Sequence, residues 1–334
     1  MKEVYLYEAL EENKVRCKVC NHFCVINEGK RGICRVRVNK GGKLYTLVYG
    51  RLIAENVDPI EKKPFYHFLP ESFAFSIATV GCNFACPFCQ NYDISQLWEE
   101  KNIIGVIEET PEDVVKKAIS YKCESISYTY TEPTVFFEFA YDTAKIAKEK
   151  GLKNNFVTNG YMSKEALKMI SPYLDAANVD LKGDEEFYRK LCKAKRAPVI
   201  ENIKMMKELG IWVEVTTLLI PDYNDSEEQI SRIAKIIKEI DPSIPWHISR
   251  FFPHFKMSEH FPTPVEKIKR AREIGFEEGL KYVYTGNIPG DDGENTYCPS
   301  CKKLLIRRFG YNILENNIVN GKCKFCDEPI AGIF

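Results

Sequence analysis

The sequence has no excess charge of either sign: lysine plus arginine number 47, and aspartate plus glutamate number 47. No global field therefore favours nucleic acid, an anionic membrane or an acidic partner, and binding has to be argued from local clusters. Long apolar runs are also missing. The opening MKEVYLYEAL has no apolar core of signal-peptide length, and no later run is long enough to span a bilayer. A cytoplasmic location is the expectation. The 334 residues are enough for one α/β barrel with small appendages, and for a large core.

Cysteine, in contrast, is abundant, at 13 residues. Without an export signal this points to metal binding in a reducing compartment rather than to disulfides. Three groups stand out. Cys82, Cys86 and Cys89 lie in Gly81-Cys-Asn-Phe-Ala-Cys-Pro-Phe-Cys-Gln90, at Cys-x3-Cys-x2-Cys spacing. Three thiolates can hold three irons of a [4Fe–4S] cluster and leave the fourth iron open to an exogenous ligand. A zinc knot is the alternative, but Asn91 to Gln96 supply no Cys or His to close it. Cys17, Cys20, Cys24 and Cys34 suit a four-coordinate zinc site that would order a segment too short for its own core, and a second Fe–S cluster would use the same residues. His22 lies inside this knuckle, where the four thiols already complete a site. Cys298, Cys301, Cys323 and Cys326 form two Cys-x2-Cys knuckles around the β-like stretch Leu304–Ile313, a zinc-ribbon pattern. Lys302, Lys303, Arg307 and Arg308 give this unit a modest basic face. Without aromatics at stacking spacing it reads as a structural or protein-docking cap rather than a nucleic-acid binder. Cys123 and Cys192 stand alone and read as small buried hydrophobes.

Between the terminal units, short β-rich runs alternate with helical periods, the pattern of a parallel α/β fold. The expected strands are Phe73–Thr79, Ser125–Tyr130, Asn155–Thr158, Asn178–Leu181, Trp212–Leu219, Trp246–Arg250 and Tyr282–Thr285. Thr110-Pro111, Pro133, Ser163, Asp184, Ser226 and Thr263-Pro264 mark helix starts. A hairpin around Gly41-Gly42 joins Arg35–Asn39 to Lys43–Tyr49, and Asp58 to Pro70 reads as a linker. Three units are expected: residues 1–70, Cys-rich with a hairpin; 71–290, the α/β core; and 291–334, ribbon-like. Function in parallel α/β folds collects after the C-terminal ends of strands.

The Cys-x3-Cys-x-aromatic-Cys pattern, with Phe88 as the aromatic, resembles the radical SAM superfamily. Over nearly its whole length the chain resembles the pyruvate formate-lyase-activating-enzyme-like branch, and within it the radical SAM enzymes of the AmmeMemoRadiSam system. The resemblance implies an α/β fold of the partial (β/α)6-type, an open TIM barrel, with a [4Fe–4S] cluster and S-adenosylmethionine as cofactors, beside the zinc that the ribbon spacing itself predicts. Tyr130-Thr131-Glu132-Pro133 is similar to the family's Gly-Gly-Glu-Pro motif with the glycines replaced, which implies that Thr131 and Glu132 hold the ammonium of S-adenosylmethionine. Glu132 would equally suit the positive end of a helix. Thr158-Asn159-Gly160 resembles a cofactor-side segment, although Asn-Gly is also an ordinary turn. Asp180-Leu181-Lys182 resembles the activating-enzyme motif, with Asp180 toward the ribose and Lys182 toward the methionine carboxylate. A surface ion pair is the alternative. His247 matches a position near the nucleoside, or is a satisfied core histidine. The aromatic loop from Phe251 to Pro264, with His254 and His260, is a candidate substrate face or a plug for the open side of the barrel.

The function expected is reductive cleavage of S-adenosylmethionine to a 5′-deoxyadenosyl radical that abstracts hydrogen from a substrate. The resemblance implies a low-potential donor such as ferredoxin or flavodoxin, and Memo-like and Ammecr-like partners. Two other readings are a glycyl-radical-enzyme activase and, from a different class, a non-catalytic zinc-binding or nucleic-acid-binding module. Typical activases carry extra cysteines just after the central motif. Here they lie at the two ends, which favours the AmmeMemoRadiSam reading.

Overall fold

Seven parallel strands follow one another in chain order across a single sheet, joined by six helical crossovers, in a computed structural model that describes residues 1–96 and 106–334. An eighth, antiparallel strand forms one edge. The strands are β1 (Ala54–Pro59), β2 (Phe73–Ala78), β3 (Ser125–Tyr128), β4 (Lys153–Thr158), β5 (Ala176–Asp180), β6 (Trp212–Leu219), β7 (Trp246–Arg250) and β8 (Val283–Gly286). The sheet runs in that order with β1 and β8 as its edges, so it is an open partial barrel. β3 is buried along its whole length, and β2 at all but its first residue, as strands of a parallel sheet covered by helices should be. β1 was not assigned from the sequence. Its polar composition and terminal Pro59 fit an edge position, where proline removes no ladder bond that the sheet needs.

The helices are α1 (Pro111–Ser120), α2 (Phe137–Glu149), α3 (Lys164–Ile170), α4 (Ala197–Glu208), α5 (Glu227–Ile240) and α6 (Val265–Glu277). Thr110 opens α1 with a reciprocal capping box to Asp113. Ser163 and Ser226 cap α3 and α5, and Asp184 caps the turn Glu185–Phe187, as their side chains predict. Thr263 departs from expectation. It is buried, its hydroxyl donates to Leu219 O and accepts from Phe251 N, and the cap position of α6 falls to Pro264. A hydroxyl engaged across the loop is not free to turn toward the helix end.

The N-terminal unit is made of two small antiparallel sheets. One contains the hairpin Arg37–Lys40 and Lys43–Thr46, whose two-residue turn sets Gly41 and Gly42 at φ +62° and +73°, as a primed turn demands. Arg37 leaves this sheet to meet α2. Its Nη1 donates to both oxygens of Glu138 at 2.9 Å and its Nη2 donates to Thr134 O at 3.2 Å, all buried.

The end of the barrel at the start of β2 is filled by residues 65–69. Glu214 on β6 is fully buried and accepts from Tyr66 N (3.0 Å), His67 N (2.9 Å) and Trp212 Nε1 (3.1 Å), and pairs with His247 Nε2 (2.7 Å). Ile333 N donates to His67 O, and Leu69 N to Ile333 O, so the tail packs on this plug. The segment read as a linker is thus part of the core. Arg308 is buried as well, with its guanidinium 4.1 Å from the Tyr66 ring centroid and donating to Tyr66 O at 3.0 Å. It anchors the C-terminal unit to the barrel and is removed from the expected basic face.

Glu138→Gln leaves the Arg37 charge buried without its partner. Urea unfolding of the metal-loaded variant should show a loss of about 3–5 kcal/mol. Glu201→Gln, at the exposed Lys164–Glu201 pair, should cost under about 1 kcal/mol. Equal losses would mean that the Arg37 pair is not a structural tie.

Candidate active site

The central cysteines lie in the loop that leaves β2. Gly81, at φ +99°, turns the chain, and its N–H donates to Ile94 O at 2.9 Å, closing the loop on the short helix Tyr92–Ser95. Phe84 N points to Cys82 Sγ at 3.4 Å, and Cys89 Sγ lies 3.2 Å from Ser95 Oγ. Such donors stabilise thiolate ligands. Cys86 is buried beside Cys192, whose thiol helps to push that of Cys86 well above its ordinary range. Cys192 therefore packs as a small buried residue, as expected, but it does so within the site. Its isolation in the sequence gave no spacing signal.

The loops after β3 and β4 meet this loop through a chain of polar contacts. Glu132 is buried. Its Oε1 accepts from Thr134 N (3.0 Å), Thr134 Oγ1 and Thr158 Oγ1 (2.9 Å), and its Oε2 from Asn159 N (2.8 Å). Burial pushes this carboxyl up, and the donors from Thr134 and Asn159 pull against that. Asn159 Nδ2 donates to Asn83 Oδ1 at 2.7 Å and lies 4.0 Å from Cys82 Sγ. Asn83, which sits inside the motif, was not singled out from the sequence, although its place beside Cys82 made it a candidate.

Thr131 Oγ1 donates to Thr79 O at 2.8 Å, tying the Glu-Pro segment to the strand that precedes the cysteines. Tyr130 stands where the family pattern has glycine and adopts φ +62°, the left-handed region that glycine favours. An L side chain there costs about 1 kcal/mol. Its hydroxyl is fixed by Asp58, which also receives Lys62 Nζ (2.7 Å) and Lys63 Nζ (2.5 Å). Tyr130 O accepts from Asn91 Nδ2 at 2.7 Å, a further bond to the cysteine loop.

Asp180 and Lys182 end β5 as a pair at 2.7 Å, with Lys182 Nζ 5.9 Å from the Phe88 ring centroid. Tyr188 OH bridges Asp180 O and Lys182 N, each at 3.0 Å. Burial opposes the Lys182 charge, but Asp180 and Cys86 outweigh it and hold the ammonium well above its usual range. Lys182 is turned toward Cys86, while Asp180 keeps 33% of its side chain exposed. The loop after β7 also reaches them: Lys256 N donates to Pro87 O at 3.0 Å, and the Tyr92 and Phe255 rings stack at 4.5 Å. His254 lies 5.2 Å from Tyr92, His260 lies against Tyr223, and Phe251 is buried while Phe252 is exposed.

His247 does not join this group. Its Nε2 is taken by Glu214, and its ring packs against Tyr66 (4.8 Å) and Tyr284 (5.2 Å) in the barrel plug. It is a satisfied core histidine. The position in the sequence could not reveal this, because the groups that claim its ring come from residue 66 and residue 284.

The terminal cysteines differ in geometry. Cys298, Cys301, Cys323 and Cys326 bring all four Sγ within 4.8 Å of one another, with Cys298–Cys326 and Cys301–Cys323 at 3.7 Å, which fits a single four-coordinate ion. Cys17, Cys20, Cys24 and Cys34 line one cavity together with His22, Arg37 and Asn83.

The radical SAM superfamily profile matches residues 76–234. An uncharacterized protein of Methanocaldococcus jannaschii is 49% identical over 333 residues, 99% of each chain. The pyruvate formate-lyase-activating enzyme of Clostridium pasteurianum is 28% identical over 167 residues, 48% of this chain and 67% of that one. Among solved structures, a radical SAM methyltransferase from Sphaerobacter thermophilus has a TM-score of 0.52 at 16% identity, over 68% of this chain and 71% of that one, a likeness of fold alone. The chain belongs to the radical SAM superfamily and is an enzyme. Within that superfamily it is like the pyruvate formate-lyase-activating enzymes, and the non-catalytic module is set aside.

Two outcomes test this geometry. Asp58 is held below its ordinary 3.8: burial alone would raise it, and Lys62, Lys63 and Tyr130 together outweigh that. A depressed carboxylate stabilises fully above its unfolded pKa and loses that contribution as pH falls through and below it. Asp58→Asn, compared at equal metal content, should therefore lose less thermal stability than the native chain between about pH 5 and pH 3. Parallel losses would dismiss the anchor. Cys192→Ala should retain the iron and sulfide of the central loop, since its thiol lies beside Cys86 without replacing a ligand. Loss of iron in that variant would make Cys192 a ligand.

Proposed function

We propose that this is a radical SAM enzyme of the AmmeMemoRadiSam type, with Cys82, Cys86 and Cys89 holding three irons of a [4Fe–4S] cluster. The observation that carries the reading is the chain from Asn83 through Asn159 to Glu132, which joins the three-thiol loop to the two neighbouring strand ends. The donor set fits the group: three thiols on one loop, with N–H and O–H donors beside Cys82 and Cys89. When bound, the cluster and S-adenosylmethionine supply reductive cleavage of the sulfonium to a 5′-deoxyadenosyl radical that abstracts hydrogen from a substrate.

The chain's own residues bind and orient. Glu132 Oε2 receives one donor, Asn159 N, and keeps a second lone pair for an ammonium, with Thr131 alongside. Asp180 accepts from ribose hydroxyls and Lys182 pairs with the methionine carboxylate, each held by Tyr188. The loop from Phe251 to Pro264, seated on Pro87 and Tyr92, forms a substrate wall. Zinc in the C-terminal four, a ferredoxin or flavodoxin as donor, and Memo-like and Ammecr-like partners complete the reading. A glycyl-radical activase is the second reading, supported by the likeness to an activating enzyme.

Anaerobic reconstitution with iron and sulfide, followed by dithionite and S-adenosylmethionine, should give 5′-deoxyadenosine and methionine. Cys86→Ala should abolish both products while zinc stays in the C-terminal unit. A reconstituted native chain that makes no 5′-deoxyadenosine would overturn the reading. Deuterium carried from candidate substrates into 5′-deoxyadenosine then identifies the hydrogen donor.

A further inference from the structure

Three sets of cysteines in one chain allow an internal comparison. Among the described residues, ligand atoms of three or more Cys, His, Asp or Glu lie within 4.8 Å of one another at the C-terminal four. The 3.7 Å contacts of Cys298 with Cys326 and of Cys301 with Cys323 are close to the separation of about 3.8 Å that a single tetrahedral zinc imposes on its thiolates. The central three, which the superfamily uses for a cluster, do not converge in this way, and neither do Cys17, Cys20, Cys24 and Cys34. The N-terminal four instead line one cavity, together with Val19, Ile26 and Val135. Among the described residues, the N-terminal set thus lacks the close approach of ligand atoms that marks the single-ion set.

The local chain brings the four thiols in from separate turns. Cys17 ends the strand Val15–Cys17 and its N–H donates to Cys24 O at 2.9 Å, while Phe23 between the remaining ligands takes φ +45° to turn the loop back. Cys34 approaches from a separate turn, in which Arg35 N donates to Gly32 O at 2.8 Å. The knuckle is docked on the loop after β4: Asn21 N donates to Tyr161 O and Ser163 N to Val19 O, each at 3.0 Å.

A second observation concerns a residue of the cavity wall. Asn83 is 2% exposed and lines it, and its Nδ2 has no hydrogen-bond partner, although its Oδ1 accepts from Asn159 and its carbonyl O meets His22 Nε2 at 2.8 Å. A buried amide donor left unpaired costs about 1–3 kcal/mol unless something accepts from it. A cluster sulfur is such an acceptor, and N–H donors to sulfur are a recognised control on cluster potential.

We propose that Cys17, Cys20, Cys24 and Cys34 hold a second iron–sulfur cluster rather than a zinc ion, with Asn83 as the shared wall between it and the central loop. Four protein thiolates close this cluster, so it offers one-electron transfer and no open coordination position, in contrast to the central one.

The test uses full-length protein in which the central site is removed, Cys82→Ala, Cys86→Ala and Cys89→Ala together, reconstituted anaerobically with iron and sulfide. This variant should keep iron and acid-labile sulfide in equal amounts and give a paramagnetic signal on reduction with dithionite. Adding Cys20→Ser and Cys24→Ser to it should remove iron, sulfide and signal while leaving one zinc per chain in the C-terminal unit. A triple variant without iron or sulfide that carries two zinc ions per chain would overturn the proposal. Neither outcome depends on cleavage of S-adenosylmethionine, so failure here is distinct from failure of the proposed activity.

Discussion

The carboxylate of Glu132 is buried and receives four hydrogen bonds, and the arrangement of the site depends on them. A buried carboxylate without donors costs several kcal/mol, so the groups that satisfy it are held firmly in place. Two of them, Thr158 and Asn159, belong to the next strand end, which locks the loops after β3 and β4 together. Asn159 gives its backbone N–H to Glu132 and its side-chain amide to Asn83. Through that pair of bonds the cysteine loop takes its position from the sheet rather than from its own short length.

The other end of the barrel is organised by a second buried carboxylate. Glu214 gathers two backbone N–H groups, an indole and an imidazole, so residues 65–69 become the floor of the barrel. Arg308 and the tail fasten the C-terminal unit to that floor. The central cysteine loop and the ribbon are therefore placed at opposite ends of one sheet. The N-terminal unit reaches the upper end through Arg37, whose partner Glu138 lies one helical turn and a half beyond Glu132.

Much of this was legible in the sequence because local rules carry it. Alternation of β-rich and helical runs located all seven parallel strands, and Ser163, Asp184 and Ser226 marked helix starts by their own side chains. The spacing of the cysteines separated three sets before any coordinates. What stayed hidden depends on partners distant in the chain. His247 resembles a cofactor contact until Glu214 and Tyr284 are seen to claim it, and Arg308 resembles a surface charge until Tyr66 lies under it. β1 is polar because it is an edge, so it lacks the apolar signal by which its neighbours were found. Thr263 shows that a residue suited to capping still takes the better-placed acceptor. Cys192 has no motif around it, and its proximity to Cys86 is created by folding.

The packing of Ile333 against His67 and Leu69 also has a practical consequence. A group attached at the exposed Phe334 would sit beside the floor of the barrel, at the end away from the cysteine loop. A label or immobilising tether placed there would leave the face of the cysteine loop open to a macromolecule, so candidate partners can be offered to the enzyme on a surface without obstructing the approach.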